Sequence, residues 1–173
     1  MTNMIREERI HVISALVEHK PGVLYSVSNM FRRRGFNIES ISVGEAERPD
    51  LARMTITIRG DESTVEQVVK QLKKLICVIK VSILDPGNMV SRELALIKVS
   101  TPDARARSDV INYTEIFKGH VVDVAHESLV IEITGDRDKI NAFIELMKPF
   151  GIREIARTGI AALSRGMRSV KVE

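Results

Sequence analysis

The sequence of 173 residues lacks features that several classes of protein require. A single cysteine, Cys77, cannot form an intramolecular disulfide or supply a multi-thiolate metal site. Tryptophan is absent and aromatic residues make up only 4%, which leaves few flat faces for stacking bases or sugar rings. No apolar run approaches the roughly 18 residues of a membrane span, and residues 1–9 lack the apolar stretch of a secretory signal. We therefore expect a soluble, cytoplasmic protein.

Charge of neither sign dominates the sequence. There are 26 lysines and arginines against 23 aspartates and glutamates, a net charge of +3, and the two signs are interspersed. This balance permits an anionic partner without requiring one. Hydrophobic residues make up 44%, which excludes a disordered scaffold and suffices for a core without disulfides.

Hydrophobic periodicity predicts the elements of a first half. It opens with a continuous apolar run, Ile10–Val17, which is typical of a strand buried on both faces. The helix that follows ends before Gly35, a residue that suits a left-handed C-cap. The predicted elements are strand 10–17, helix 23–34, strand 37–43, strand 51–59, a helix carrying Val65–Ile76 after a cap at Asp61 or Ser63, and strand 77–83.

The pattern restarts after the turn tetrapeptide Asp85-Pro86-Gly87-Asn88. The predicted elements of the second half are strand 94–99, a helix capped within Ser100–Asp103, strands 120–124 and 129–133, a helix carrying Ile140–Met147, and strand 152–156, followed by 159–163 and a basic, frayed tail. Each half thus has the order βαββαβ. We predict an α+β fold of two ferredoxin-like domains in tandem, 8–85 and 86–173.

The first strand also bears on the oligomeric state. Helices on one side of a four-stranded sheet leave its other side bare, yet Ile10–Val17 is apolar on both faces. The side chains that point away from the helices need a cover. We expect that cover to be a second copy or a partner, in a homodimer or a higher oligomer.

Motifs of catalysis are missing. No Walker loop or Gly-x-Gly-x-x-Gly opens a helix after a strand, and none of the four histidines lies in a recognisable catalytic context. Cys77 alternates with Ile79 and Val81, which predicts a buried, inert thiol. His120 and His126 flank a predicted hairpin, but no third metal ligand stands at a suitable spacing. We expect neither a catalytic residue nor a metal site.

RNA-recognition modules use the same strand order and stack bases on aromatics of their two central strands. Here the candidate central strands, Ile10–Val17 and Leu51–Arg59, contain no aromatic residue. Arg32-Arg33-Arg34 is explained by the preference of cations for the C-terminal end of a helix. The sequence therefore argues against a nucleic-acid partner.

The segment between the first strand and the first helix, His19–Leu24, is a candidate small-molecule site. Main-chain N–H groups at the start of a helix favour an anion such as a carboxylate, and Gly22 allows a ligand to approach closely. Asn37, at the start of the second strand, offers one more hydrogen bond. The same residues also fit a plain β-to-α turn in which Pro21 and Gly22 serve geometry alone.

Several motifs resemble one family along nearly the whole chain, from Ile10 to Gly166. The resemblance is to the regulatory (small) subunit of acetolactate synthase, also called acetohydroxyacid synthase, with its amino-acid-binding ACT domain. The matching segments, in the order of that family, are Val17–Leu24, Arg34–Ser40, Arg53–Ile56, Asn112–Gly119 with Tyr113 as a one-residue insertion, Ala156–Gly159 and Leu163–Gly166.

The resemblance implies a non-catalytic partner of a catalytic (large) subunit. That subunit would carry thiamine diphosphate, Mg²⁺ and FAD, whereas this chain would hold no cofactor. It condenses pyruvate with pyruvate or 2-oxobutyrate in branched-chain amino acid biosynthesis. The small subunit of the family raises this activity and confers feedback inhibition, commonly by valine.

The resemblance also implies where the effector lies. ACT domains of the family pair side by side, with the effector between them. Gly22, Val23 and Leu24 would present helix-start amides to the valine carboxylate, and Asn37 of the neighbouring chain would complete the site. The effector-binding residues are thus expected among His19, Lys20, Pro21, Gly22, Val23, Leu24, Asn37 and Ile38. The family often has Asn where this chain has His19.

Two readings stay open beside this one. Arg105, Arg107, Arg157 and Arg165 are candidates for contacts with the catalytic subunit, although solvated charge is the commoner explanation of such residues. The alternative function is a free-standing ligand- or metal-sensing regulator built on tandem ferredoxin-like domains, with His120 and His126 as its metal ligands.

Overall fold

The structure, a computed structural model, describes residues 9–171; Glu8 and residues 172–173, at the predicted domain limits, lie outside this range. Two compact units make up the chain. The first contains the residues up to Val90 together with those from Ile160 onward, and the second contains Ser91–Gly159. Within residues 9–171, no helix is long and apolar enough to cross a membrane.

The first unit is a four-stranded antiparallel sheet with two helices. The strand order is β2-β3-β1-β4, so β1 and β3 are central and β2 and β4 are the edges. This is the predicted ferredoxin-like topology. Its elements are β1 (Arg9–Glu18), α1 (Val23–Arg34), β2 (Ile38–Glu45), β3 (Leu51–Gly60), α2 (Glu62–Leu72) and β4 (Val78–Leu84).

The second unit repeats this topology, with the order β6-β7-β5-β8. A 3₁₀ turn, Pro86–Asn88, precedes its first strand, and another, Lys148–Phe150, follows its last helix. The prediction of two tandem ferredoxin-like βαββαβ folds is therefore confirmed. The elements are β5 (Met89–Ser100), α3 (Ala104–Ile116), β6 (His120–Val124), β7 (Ser128–Gly135), α4 (Arg137–Met147) and β8 (Ile152–Arg157); a last strand, β9 (Ala161–Ser164), lies among the C-terminal residues of the first unit.

Each unit has its own core between the helices and one face of the sheet. In the first unit alternate residues of the central strands, such as Ile13 and Ile56, are fully buried against Phe31 of α1. In the second unit Ile97 and Ile131 occupy the equivalent positions. Burial of such side chains contributes about 1.5–3 kcal/mol each, so these two clusters hold the units together.

The other face of the first sheet corrects two predictions. Val12 and Leu84 pack against Ile160 and Ala162, and Val170, only 6% exposed, packs against the same face of the sheet. The apolar back of β1 is thus covered at both ends by the chain's own C-terminal segment, and it does not by itself require a second copy. For the same reason residues from Ile160 onward belong to the first unit rather than to the predicted domain 86–173, and the described part of the tail is not frayed.

Polar contacts also hold the C-terminal segment against the sheet, next to the place where Val170 packs on Leu16 and Leu51. Arg53 donates to the Val170 carbonyl at 2.8 Å and to the Glu47 carboxylate at 3.0 Å. Its guanidinium thereby ties β3 to the C-terminal segment. A backbone carbonyl that would otherwise lose its hydrogen bond to water on packing is satisfied in this way.

The end of α2 departs from the predicted pattern. The helix ends at Leu72, and Ile76, predicted on its apolar stripe, is 97% exposed. A bulge in β4 then breaks the alternation: Leu16 pairs with Lys80 and Val17 with Val78, which leaves Ile79 out of register. Ile79 is accordingly exposed, and Cys77 is half-buried against the core rather than fully buried as predicted.

Candidate functional site

The loop from His19 to Gly22 joins β1 to α1 and is anchored by its neighbours in the sheet. The Glu18 amide donates to the Cys77 carbonyl at 2.9 Å, and the His19 amide donates to the Asp50 carbonyl at 2.8 Å. The Nδ1 atom of His19 lies 3.3 Å from the Pro49 carbonyl. The turn between β2 and β3 thus holds the first residue of the loop.

Gly22 is the N-cap of α1 and has φ 85° and ψ −10°, a left-handed conformation that costs a residue with a side chain about 1–2 kcal/mol. Its carbonyl accepts hydrogen bonds from the Ser26 amide at 2.9 Å and from the Ser26 hydroxyl at 3.0 Å. A Cβ atom placed here would meet nothing within 4 Å. Conformation rather than crowding therefore calls for glycine, and the space beside it is open.

The start of α1 is uncapped. No side chain accepts a hydrogen bond from its first amides, and its first turn contains no acidic residue. Each of the other three helices is capped by an aspartate, Asp61, Asp103 or Asp136, which accepts from a first-turn amide at 2.8 Å. The Val23 amide, expected to contact the effector, donates instead to the Lys20 carbonyl at 3.4 Å. The amides of Leu24 and Tyr25 and the positive end of the dipole remain available to an anion from outside the chain.

The surroundings of the loop add charge and apolar surface. Lys20 forms an exposed ion pair with Glu18 at 3.1 Å. Val23 is buried in the core, whereas Leu24 is 50% and Tyr25 71% exposed beside the free amides. A carboxylate together with a short aliphatic side chain matches this combination of donors and apolar surface.

The turn below the loop has its own ion pair. Arg48 donates two hydrogen bonds to the Asp50 carboxylate, at 3.0 and 2.6 Å. This contact lowers the pKa of Asp50 below its ordinary 3.8 and raises that of Arg48. The pair braces the segment whose carbonyls, at Pro49 and Asp50, meet His19.

Asn37 and Ile38 lie far from this loop within one chain. Ile38 pairs with Ile58 and Ile58 with His11, which stands seven residues before Glu18. At about 3.3 Å per residue, β2 therefore begins about 23 Å along the sheet from the loop. Asn37 is exposed, and Ile38 is half-buried against the core. A single chain brings His19–Leu24 together but leaves Asn37 and Ile38 at the opposite end.

Comparison with known proteins gives the family. Two family models match: the AHAS small subunit-like ACT domain over residues 13–80, and the small subunit of acetolactate synthase over residues 92–166. A protein of Methanothermobacter thermautotrophicus described as a probable acetolactate synthase small subunit is 57% identical over 95% of this chain and 98% of its own length. The chain belongs to the acetolactate synthase small-subunit family.

Two further relatives agree with this assignment. The acetolactate synthase small subunit of Aquifex aeolicus is 53% identical over 95% of this chain and 85% of its own length. The crystal structure of the Thermotoga maritima acetolactate synthase small subunit superposes with a TM-score of 0.85 at 49% identity, covering 91% of this chain and 98% of that one. The resemblance inferred from sequence motifs is confirmed.

The small-subunit motif Asn112–Gly119 has a structural role at the end of α3. The Gly119 amide donates to the Thr114 carbonyl at 2.8 Å, and a Cβ atom on Gly119 would lie 2.9 Å from the Glu132 carbonyl oxygen. Thr114 is buried and its hydroxyl donates to the Val110 carbonyl at 2.7 Å. The motif therefore closes the helix against β7 and presents no reactive group.

Three of the four arginines proposed for partner contacts are engaged within their own unit. Arg157 donates to both carboxylate oxygens of Glu93, at 2.8 and 2.7 Å, which raises the pKa of Arg157. Arg107 donates to the Ala125 and His126 carbonyls, and Arg165 donates to the Met89 carbonyl. Sequence reasoning missed Glu93; the only available signal was an acidic residue at the edge of an apolar strand.

The metal-sensing alternative is not supported by the hairpin. His120 pairs with Glu132 at the open end of the β6–β7 pair, whereas His126 lies in the turn at its other end. Between residues 9 and 171 no cluster of three or more His, Cys, Asp or Glu side chains could hold a metal ion. The strand register therefore places the two histidines of the metal-sensing alternative at opposite ends of the hairpin.

Proposed function

We propose that this chain is the regulatory subunit of acetolactate synthase, non-catalytic itself and acting in the cytoplasm on a catalytic subunit. That subunit supplies the thiamine diphosphate, Mg²⁺ and FAD, and the present chain raises its activity and makes it sensitive to a branched-chain amino acid, valine. The observation that carries the proposal is the uncapped start of α1 behind Gly22, the one α-helix start of the described residues without an aspartate cap.

Valine suits this helix start chemically. Its carboxylate accepts hydrogen bonds from the amides of Leu24 and Tyr25, which no side chain of this helix start engages. Its isopropyl group has exposed apolar surface at Leu24 to pack against. His19, held by the β2–β3 turn, offers one ring nitrogen where the family often has an asparagine amide.

A second copy completes the site in this proposal. The edge strand β2 contains neither proline nor lysine, the residues that commonly block pairing of exposed edges. A two-fold axis beside β2 makes the two edge strands antiparallel, because symmetry reverses the direction of the partner. The end at which β2 of one chain begins then meets the end at which β2 of the other finishes. The end at which β2 finishes lies on the same side of the sheet as the His19–Leu24 loop. Asn37 of the partner, which precedes the start of the partner's β2, therefore approaches this loop.

The effector regulates through this shared site. Valine bound across two chains favours one arrangement of the dimer, and the catalytic subunit responds to that arrangement. Coupling of this kind is typically about 1–3 kcal/mol between the two sites. The regulatory subunit thereby needs no catalytic residue of its own.

The first test is reconstitution. Adding this chain to the purified catalytic subunit of the same organism is expected to raise acetolactate formation from pyruvate several-fold, and valine is expected to reverse the gain. The chain alone is expected to form no product. An activity that stays constant across the titration would refute the regulatory role.

The second test uses mixed dimers to examine the shared site. In a purified heterodimer of Gly22→Asp and Asn37→Ala chains, a shared site leaves one intact pair and one doubly damaged pair. Calorimetry is then expected to show one valine per heterodimer, and none for either variant homodimer. If each chain binds valine through its own loop alone, Asn37→Ala has no effect, because Asn37 lies about 23 Å from that loop in its own chain, and the Asn37→Ala homodimer then binds valine at both loops.

A further inference from the structure

A groove lies between α1 and α2 on the side of the first unit away from its sheet. Its volume is about 300 Å³. It extends along α1 from Tyr25 to Arg34, about 14 Å at 1.5 Å per residue, a length that about four residues of extended chain would span. We call it the α1–α2 groove; Tyr25, Arg33, Arg34 and Lys74 are among the residues that line it.

The charge of the α1–α2 groove is all of one sign. Arg33, Arg34 and Lys74 line it, and no acidic side chain does. None of the three cations forms an ion pair with any residue between 9 and 171. By contrast, Lys70 and Lys148 are paired, with Glu66 at 3.8 Å and with Glu145 at 2.5 Å. The groove is a concentration of uncompensated positive charge in a chain of nearly balanced charge.

Helix-end preferences explain only part of this pattern. Arg33 and Arg34 stand in the last turn of α1, and Lys74 follows α2, where cations are favoured by the helix dipoles. The helix dipoles do not explain why the cations at the C-terminal ends of both helices line the same groove. Nor do they account for Tyr25, which lines the groove at the start of α1 and is 71% exposed. Tyrosine and arginine are among the residues enriched at the positions that contribute most to protein–protein binding.

We propose that the α1–α2 groove is the surface on which an acidic segment of the catalytic subunit docks. The inference rests on the proposed regulatory role and adds the contact through which that role is exercised. Charge complementarity selects the occupant, since arginines favour carboxylates in bidentate geometry. Tyr25 immediately follows Leu24 in the first turn of α1. A segment seated in the groove therefore touches the same helix whose start binds the effector.

The experiment compares two charge-reversal variants of the full chain. Arg33→Glu/Lys74→Glu changes the groove. Arg92→Glu/Lys118→Glu makes the same charge change at two exposed positions of the second unit, neither of which is a candidate for partner contacts. Binding of each to the catalytic subunit of the same organism is measured by biolayer interferometry at low and high salt. Valine binding and sedimentation of each variant alone are measured in parallel.

The groove variant is expected to bind the catalytic subunit at least about tenfold more weakly at low salt, with the difference shrinking at high salt. Its valine affinity and its sedimentation are expected to stay those of the unmodified chain, and the control is expected to bind the catalytic subunit normally. If the groove variant binds the catalytic subunit normally, or if the control loses as much affinity, the docking proposal is overturned, whereas the regulatory role is not. If the groove variant sediments differently from the unmodified chain, the groove is a contact between copies of this chain, and the docking proposal is overturned as well. If the unmodified chain does not bind the catalytic subunit, the regulatory role fails together with the groove.

Discussion

The two units of this small subunit solve the same local problem in opposite ways. In both units a central strand leads through a short, proline-containing loop into a helix. The first-turn amides of any helix have no acceptor within the helix itself, so they need one from elsewhere. In the second unit Asp103 accepts a hydrogen bond from the Ala106 amide at 2.8 Å. In the first unit Gly22 stands at that position, in a left-handed conformation and with no side-chain cap.

The difference shows how one topology yields both a scaffold and a binding site. The loop of the second unit is closed by its own chain: Thr101 is buried, and its amide donates to the Glu127 carbonyl at 2.8 Å. The loop of the first unit is exposed from His19 to Gly22 and has open space beside the glycine. A helix that supplies its own carboxylate has no need of another, whereas a helix without one can bind a carboxylate from solution.

The largest expected effect comes from giving the first loop the carboxylate of the second. Gly22→Asp places a negative charge at the helix start and is expected to weaken valine binding on the order of a hundredfold, since two carboxylates then compete for the same amides. Calorimetry with valine measures the loss.

Two matched variants control for this substitution. Gly22→Asn has the same shape without the charge, and Gly35→Asp adds the charge at the other end of α1, also at a left-handed glycine with nothing within 4 Å. Both are expected to bind valine more tightly than Gly22→Asp. Equal affinity of the three chains would move the effector site away from this helix start.

A smaller effect is expected from removing the carboxylate of the second loop. Asp103→Ala leaves the Ala106 amide without its acceptor and is expected to lower the free energy of unfolding by about 1 kcal/mol. Urea denaturation measures this change. Valine affinity is expected to stay within about twofold, because the loop of the second unit is filled by the chain itself.

Asp136→Ala, the cap of α4, is the matched control and is expected to cost a similar amount. A valine affinity that falls with Asp103→Ala but not with Asp136→Ala would mean that the second loop also takes part in effector binding. The contrast between the two units would then no longer hold.

The smallest effect concerns the turn that braces the first loop. Because Arg48 lowers the pKa of Asp50, the folded state binds this proton less readily than the unfolded chain. The stabilisation is therefore fully present above the ordinary pKa of 3.8 and is lost as the pH falls through the lowered value. The free-energy difference between the unmodified chain and Asp50→Asn is expected to be constant near neutral pH and to shrink in acid. A free-energy difference that is the same at neutral and at acidic pH would show that the ion pair does not brace the turn.

Most of the fold was predictable because its signals are local. The order βαββαβ follows from hydrophobic periodicity, and the caps at Asp61, Asp103 and Asp136 act on amides three residues away. The His19–Leu24 loop is contiguous in sequence, so its residues share one place in any fold of this order. The β4 bulge, the half-buried Cys77 and the exposed Ile76 were not predictable, because they depend on how β4 pairs with β1.

The sequence by itself determined the two ferredoxin-like units, the uncapped start of α1 and, through its motifs, the small-subunit family. These depend on residues close together in the chain, whose spacing selects helix, strand or cap. Only the tertiary structure decided that the C-terminal segment covers the back of β1, that Arg157 is paired with Glu93, and that Asn37 lies about 23 Å from the loop in its own chain. Each of these joins residues far apart in sequence, and no local pattern records which distant partners the folded backbone brings into contact.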